Sequence, residues 1–163
     1  MMNKDDVRGT GPLAGEEELA AGLWFHPPAK EPDQLSPVVL AYIGDAVFEL
    51  IIRQYLISQT NHKLHHLHRE ATSRVSAKAQ CALLQRLMPV LTEEEADIVR
   101  RGRNAKSGNP PKNADPHDYR QATALECLFG YLYYQRRSGR IHELLDIAIH
   151  RTSAVAREEE EKT

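Results

Sequence analysis

From Ser36 onward, apolar residues recur with the three-to-four spacing of amphipathic helices, and no stretch alternates as a strand would. Ser36 is placed to cap a first helix with Pro37 at its first position, running to about Ser58. Asn61 or His62 opens a second helix towards Val75, and Ser76 caps a third through Arg86 or Leu87. Thr92 followed by Glu95 is a capping-box pattern that starts a fourth helix, ending near Gly102. Residues 101–116, RGRNAKSGNPPKNADP, carry the Gly, Pro, Asn and Lys of a loop. Asp115 and Pro116 then open a fifth helix to Arg137, and Gly139 separates it from a sixth that reaches His150 or beyond. The predicted fold class is all-α. Residues 1–33 show little periodicity and read as a loosely docked extension, 34–150 as one folded domain, and 151–163 as an acidic tail with a frayed helix end.

At 163 residues, the chain has the length of about one domain with a real core. Leu40 to Ile57 is its most apolar run, but Asp45, Glu49, Arg53 and Gln54 interrupt it, which marks a core helix and excludes a membrane span. The N-terminal MMNKDDVRGTGPLAGEEE has no apolar core of a secretion signal. Two distant cysteines, Cys81 and Cys127, in helical apolar surroundings read as buried thiols of a reducing, cytoplasmic compartment. A net charge of −2 does not by itself suggest a polyanion partner. The distribution does: acid collects at 15–18, 93–95 and 158–161, whereas Arg100, Arg101, Arg103, Lys106 and Lys112 concentrate base inside the folded region.

The first and fifth helices each place a carboxylate among apolar residues: Asp45 in AYIGDAVFEL and Glu126 in ATALECLFGYLYY. A glycine accompanies each, Gly44 and Gly130. Glycine inside a helix costs about 0.5–1 kcal/mol relative to alanine and is usually kept for close helix approach. Two helices crossing at these glycines would bring Asp45 and Glu126 together. Two carboxylates share a dry site only with a proton or a metal ion between them. An all-oxygen set of this kind suits Mg²⁺. The competing reading is Asp45 neutralised by an arginine or by helix-end amides.

AYIGDAVFE (41–49) resembles the signature helix of the ribonuclease III endonuclease domain, and ALECLFGYLYY (124–134) its later conserved helix. VSAKAQ (75–80), RRGRNAKS (100–107) and PKNAD (111–115) resemble, in order and spacing, the Mini-ribonuclease III branch, which lacks a double-stranded-RNA-binding domain. The likeness covers roughly residues 34–150. It implies an all-helical, homodimeric, Mg²⁺-dependent endoribonuclease that cleaves double-stranded RNA and trims precursor 23S ribosomal RNA, with a ribosomal protein as one means of presenting the RNA. It also implies Asp45 and Glu126 as catalytic metal ligands. Where the larger enzymes have further carboxylates, this chain has Val38, Ala41 and Thr123, which leaves a thinner metal shell. Thr123 is then a candidate for supporting the ligands through its hydroxyl.

Glu49, four residues after Asp45, is a candidate outer ligand, and equally a helix salt-bridge partner of Arg53. Arg100, Arg101, Arg103, Asn104, Lys106 and Lys112 are the RNA-contact candidates, with Lys78 and Gln80 weaker ones; a solvated linker is the alternative. His62, His65, His66 and His68 invite a zinc site, with His62 and His66 four apart on one helix face, although a polar surface near RNA explains them as well. Tyr131, Tyr133 and Tyr134 suit the core or a dimer contact, and Trp24 with Phe25 would pin the N-terminal extension. Two rival functions stand beside the enzyme. One is a non-catalytic RNA-binding or ribosome-assembly module on the same fold; the other is a histidine-based metal-storage or sensor protein.

Overall fold

A computed structural model describes residues 25–106 and 108–160, with side chains through residue 149. Six helices account for most of them: α1 (Pro37–Ser58), α2 (Leu64–Val75), α3 (Ala77–Leu87), α4 (Glu93–Asn104), α5 (Pro116–Tyr134) and α6 (Ser138–Glu160). Short 3-10 turns at Pro32–Gln34 and Met88–Val90 complete the set, and there is no strand among the described residues. Most of the extension and the last three residues of the tail, together with Trp24, lie outside the described residues. Phe25 is exposed. Pro32 is buried and Asp33 accepts a hydrogen bond from Tyr131 Oη at 2.9 Å, so docked chain begins by Pro32.

Local capping chemistry fixes four helix starts. The Ser36 and Ser76 hydroxyls accept from the backbone N–H groups of Val39 and Ala79, at 3.3 and 3.2 Å. Asp115 accepts from His117 and Asp118 N–H at 2.8 and 3.0 Å. At α4 the capping box is complete, with Glu95 N–H on Thr92 Oγ1 and Thr92 N–H on Glu95 Oε2.

Three boundaries differ from the sequence expectation. α2 starts at Leu64, because the Asn61 side chain is spent on Lys63 N–H within the turn and a His62 ring nitrogen lies 2.7 Å from the Ile57 carbonyl. α4 continues past Gly102 to Asn104 and is capped at Ala105, so Arg100, Arg101 and Arg103 stand on a helix. α5 stops at Tyr134 because Arg136 takes a left-handed φ of 55°, with its own N–H on Tyr133 O and the next on Leu132 O. Gly139 does not break the chain; it lies in the first turn of α6.

α5 is the central helix, packed by α1, α3 and α4. Ala124, Leu125, Leu128, Phe129 and Leu132 on it are fully buried, as expected of a helix that is apolar all round. Gly102, expected to loosen a loop, instead seats α4 on α5: a Cβ there would lie 2.8 Å from Cys127 Cβ. Cys81 and Cys127 are free and buried. Tyr131 is core, and Tyr133 and Tyr134 are half-buried against it. No described helix is long and apolar enough to cross a membrane.

Two acids of the run at 93–95, Glu94 and Glu95, are structural. Glu95 is 1% exposed and takes both ends of the Arg140 guanidinium, Nε at 2.8 Å and NH2 at 2.9 Å, while Arg140 also donates to Val90 O. Glu94 accepts from Tyr131 and Arg137. Breaking a buried pair by deleting one partner typically costs about 3–5 kcal/mol. Glu95→Ala also removes the cap, so urea unfolding is expected to show a loss at or above that range; a loss under about 1 kcal/mol would mean that the pair is not structural.

Candidate active site

α1 and α5 cross with their backbones in contact. A Cβ on Gly44 would sit 1.7 Å from the Glu126 carbonyl oxygen, and one on Gly130 would sit 2.0 Å from that of Leu40. Only glycine allows this approach, and it places Asp45 closely enough that its charge acts on the Glu126 carboxyl.

The pair is asymmetric in a way the sequence did not foretell. Asp45, expected to be the buried carboxylate, is exposed; Gly44, Val47 and Phe48 face the core instead. Glu126 is the more enclosed of the two. Burial first, and the Asp45 charge second, push its carboxyl up to about 7, against the pull of a Gln80 amide. Burial and the charge of Glu49 raise Asp45 as well. Among the described residues no cation pairs with Asp45, so the salt-bridge explanation of this aspartate fails.

Gln80, a weaker RNA-contact candidate from sequence, is buried away from any such contact. It is 2% exposed, and its Nε2 donates to Glu126 Oε1 at 3.3 Å and to Val75 O at 2.9 Å. Its Oε1 is the one buried side-chain polar atom without a hydrogen-bond partner among the described residues. Its spacing with Leu84 and Leu87 on the buried face of α3 was the available signal. Two carboxylates repelling each other and an orphaned amide oxygen next to them fit a hard, oxygen-seeking cation such as Mg²⁺.

The neighbouring candidates divide. Glu49 forms the ordinary helix pair with Arg53 at 3.3 Å, while its charge still reaches Asp45. Thr123 is buried and donates its hydroxyl to Tyr119 O at 3.0 Å, one turn back on its own helix. Arg100 pairs with Asp97. Arg101 and Arg103 are half-buried on the last turns of α4, which dock at Ala124 and Cys127, the residues bracketing Glu126. Asn104, Lys106, Lys112 and Lys78 are exposed. Of the histidines, His62 lies in the turn before α2 and not on the helix face of His66, and Arg69 lies 3.3 Å from the His66 ring. Among the described residues no three of the histidines gather as ligands, which removes the ground for the histidine metal-storage reading.

Known proteins carry the same arrangement of sequence. The Ribonuclease III domain profile matches residues 38–137, which span Asp45 and Glu126. The Mini-ribonuclease 3 of Brevibacillus brevis is 49% identical over 119 residues, covering 73% of this chain and 89% of that protein. That of Symbiobacterium thermophilum is 47% identical over 72% of this chain and 90% of its own length. A crystal structure of a Fusobacterium nucleatum protein superposes with a TM-score of 0.66 at 30% identity, covering 75% of this chain and 98% of that one. The chain belongs to the ribonuclease III family of endoribonucleases, in its Mini-ribonuclease 3 branch.

Proposed function

We propose that the chain cleaves double-stranded RNA in a Mg²⁺-dependent reaction centred on Asp45 and Glu126, and that precursor 23S ribosomal RNA is its cytoplasmic substrate. The observation that carries the reading is the glycine-to-backbone crossing of α1 and α5, which holds two mutually repelling carboxylates at one place. Mg²⁺, when bound, acidifies a coordinated water and offsets charge on the phosphodiester oxygens. Glu126 supplies an anionic oxygen once its proton is lost, above about pH 7. Gln80 holds one Glu126 oxygen by its amide N–H and keeps its own amide oxygen as an unspent acceptor. Asp45, at the exposed edge, meets the backbone as it arrives. Products with 5′-phosphate and 3′-hydroxyl ends follow from water attack of this kind.

Arg101, Arg103, Asn104, Lys106 and Lys112, with Lys78 from α3, are the proposed contacts to phosphates and 2′-hydroxyls of the duplex. Exposed Val38, Val39 and Tyr42 put an apolar surface on α1 beside Asp45. A second copy of the chain covering that surface would give a homodimer with one site for each strand. A ribosomal protein that presents the RNA is a further proposed partner.

The test is cleavage of a labelled RNA duplex, with single-stranded RNA beside it, in Mg²⁺ and in chelator. Duplex-selective cutting that chelator stops and Asp45→Asn abolishes is the expected result. A folded wild type that binds duplex and precursor RNA yet never cuts either would make the chain a binding module instead.

A further inference from the structure

Away from the carboxylate pair, three side chains of different chemistry converge where α3 meets the first turn of α5. The Sγ of Cys81, a ring nitrogen of His117 and a carboxylate oxygen of Asp118 all lie within 4.8 Å of one another. Cys81 is 5% exposed, Asp118 half-buried and His117 exposed, so the group forms a wall open to solvent on one side. His117 Nδ1 and Asp118 Oδ1 are 3.6 Å apart. Ligands at about 2.0–2.3 Å from a tetrahedral ion stand about 3.3–3.7 Å from each other, so this separation already matches one edge of such a site. Burial first, and the neighbouring Asp118 second, push the Cys81 thiol up, and Gln85 Nε2 approaches its sulfur at 3.8 Å.

We propose that Cys81, His117 and Asp118 form a transition-metal site of the zinc class, with three protein ligands and a fourth position open to water. A thiolate, an imidazole and one carboxylate are the donor set of a borderline-soft ion and a poor one for Mg²⁺. On binding, the metal–sulfur bond replaces the sulfur–hydrogen bond, and the Cys81 proton leaves to solvent. The positive end of α5 opposes a cation here, and two carboxylates answer it: Asp118 as ligand, and Asp115, which already takes the N–H groups of residues 117 and 118. Asp118 precedes Glu126 by eight residues, about 12 Å along the helix. The site is therefore separate from the carboxylate pair. It would cross-link α3 to the start of α5 and so brace the helix whose Gln80 supports Glu126.

Cobalt(II) added to the full chain tests this, because a thiolate ligand gives a charge-transfer absorption in the near ultraviolet. The wild type is expected to show it with one equivalent of cobalt, to lose it to zinc and to keep it in excess Mg²⁺. Asp45→Asn and Glu126→Gln should leave it unchanged. Cys81→Ser should abolish it, and His117→Ala, at an exposed residue, should weaken binding by at least about 10- to 100-fold. No absorption in the wild type, persistence in Cys81→Ser, or unaltered affinity in His117→Ala each overturns the site.

Discussion

Glu126→Gln is expected to abolish cleavage while making the metal-free protein more stable above neutral pH. Both effects come from one charge. The unfolded chain releases the Glu126 proton near pH 4.5 and the folded chain near 7, so between those values the native state holds the extra proton. Stability from this group is complete below pH 4.5 and is lost as pH rises through 7, by about 3 kcal/mol for a shift of that size. Glutamine keeps the shape, drops the charge and removes that loss. Melting curves of the metal-free proteins at pH 8 should place the variant higher by about 2–4 °C for each kcal/mol regained. Towards pH 5 the two curves should converge. Saturating Mg²⁺ should raise the wild type, by mass action on a site that needs the anion, and leave the variant nearly unmoved. Cleavage in the variant should fall at least about a hundredfold, the scale of one lost electrostatic contact in a transition state. Parallel melting-versus-pH curves for the two proteins would show that burial and the Asp45 charge do not raise the Glu126 carboxyl.

What was legible in the sequence was mostly what acts within four residues. Ser36, Ser76, Thr92 and Asp115 announce their helices because a cap is a bond between a side chain and the next turn, whatever surrounds it. The close crossing was legible too, since glycine paired with a carboxylate on two apolar helices has few other uses. What escaped was orientation. α1 is apolar around much of its girth, so its pattern does not say which side α5 covers, and Asp45 was placed inside when Glu126 is the enclosed partner. Gln80 looked like surface because amides usually are, although its register with Leu84 and Leu87 put it on the packed face. Arg140 on Glu95, and Cys81 with His117 and Asp118, join residues that are distant in the chain, and no local spacing encodes such meetings. Basic residues and Asn around Gly102 resemble loop chemistry, yet its missing side chain is what lets α4 lie on α5.

Gly44→Ala should be the most damaging single methyl in the protein. Alanine would ordinarily gain about 0.5–1 kcal/mol over glycine inside a helix. Here the new Cβ meets the Glu126 carbonyl oxygen at 1.7 Å, its carbon at 2.6 Å and Gly130 N at 2.8 Å, all of them backbone atoms of the central helix. No side chain can swing aside, so α1 and α5 must separate as bodies. Overpacking a core by a methylene costs about 1–3 kcal/mol when side chains absorb it. Parting two helices also opens voids along Leu40, Phe48 and Phe129, so a loss above about 4 kcal/mol is expected, read by urea unfolding or by failure to accumulate folded protein. Gly139→Ala is the matching control: the space around it is open, it lies in the first turn of α6, and the same methyl should be neutral or stabilise by up to about 1 kcal/mol. Should Gly44→Ala unfold within 1 kcal/mol of the wild type, the backbones cannot be in contact. The crossing would then not be what holds Asp45 to Glu126. If instead a folded fraction survives, its cleavage should fall further than its stability, because the Glu126 carbonyl that the methyl displaces belongs to the residue whose carboxylate completes the pair.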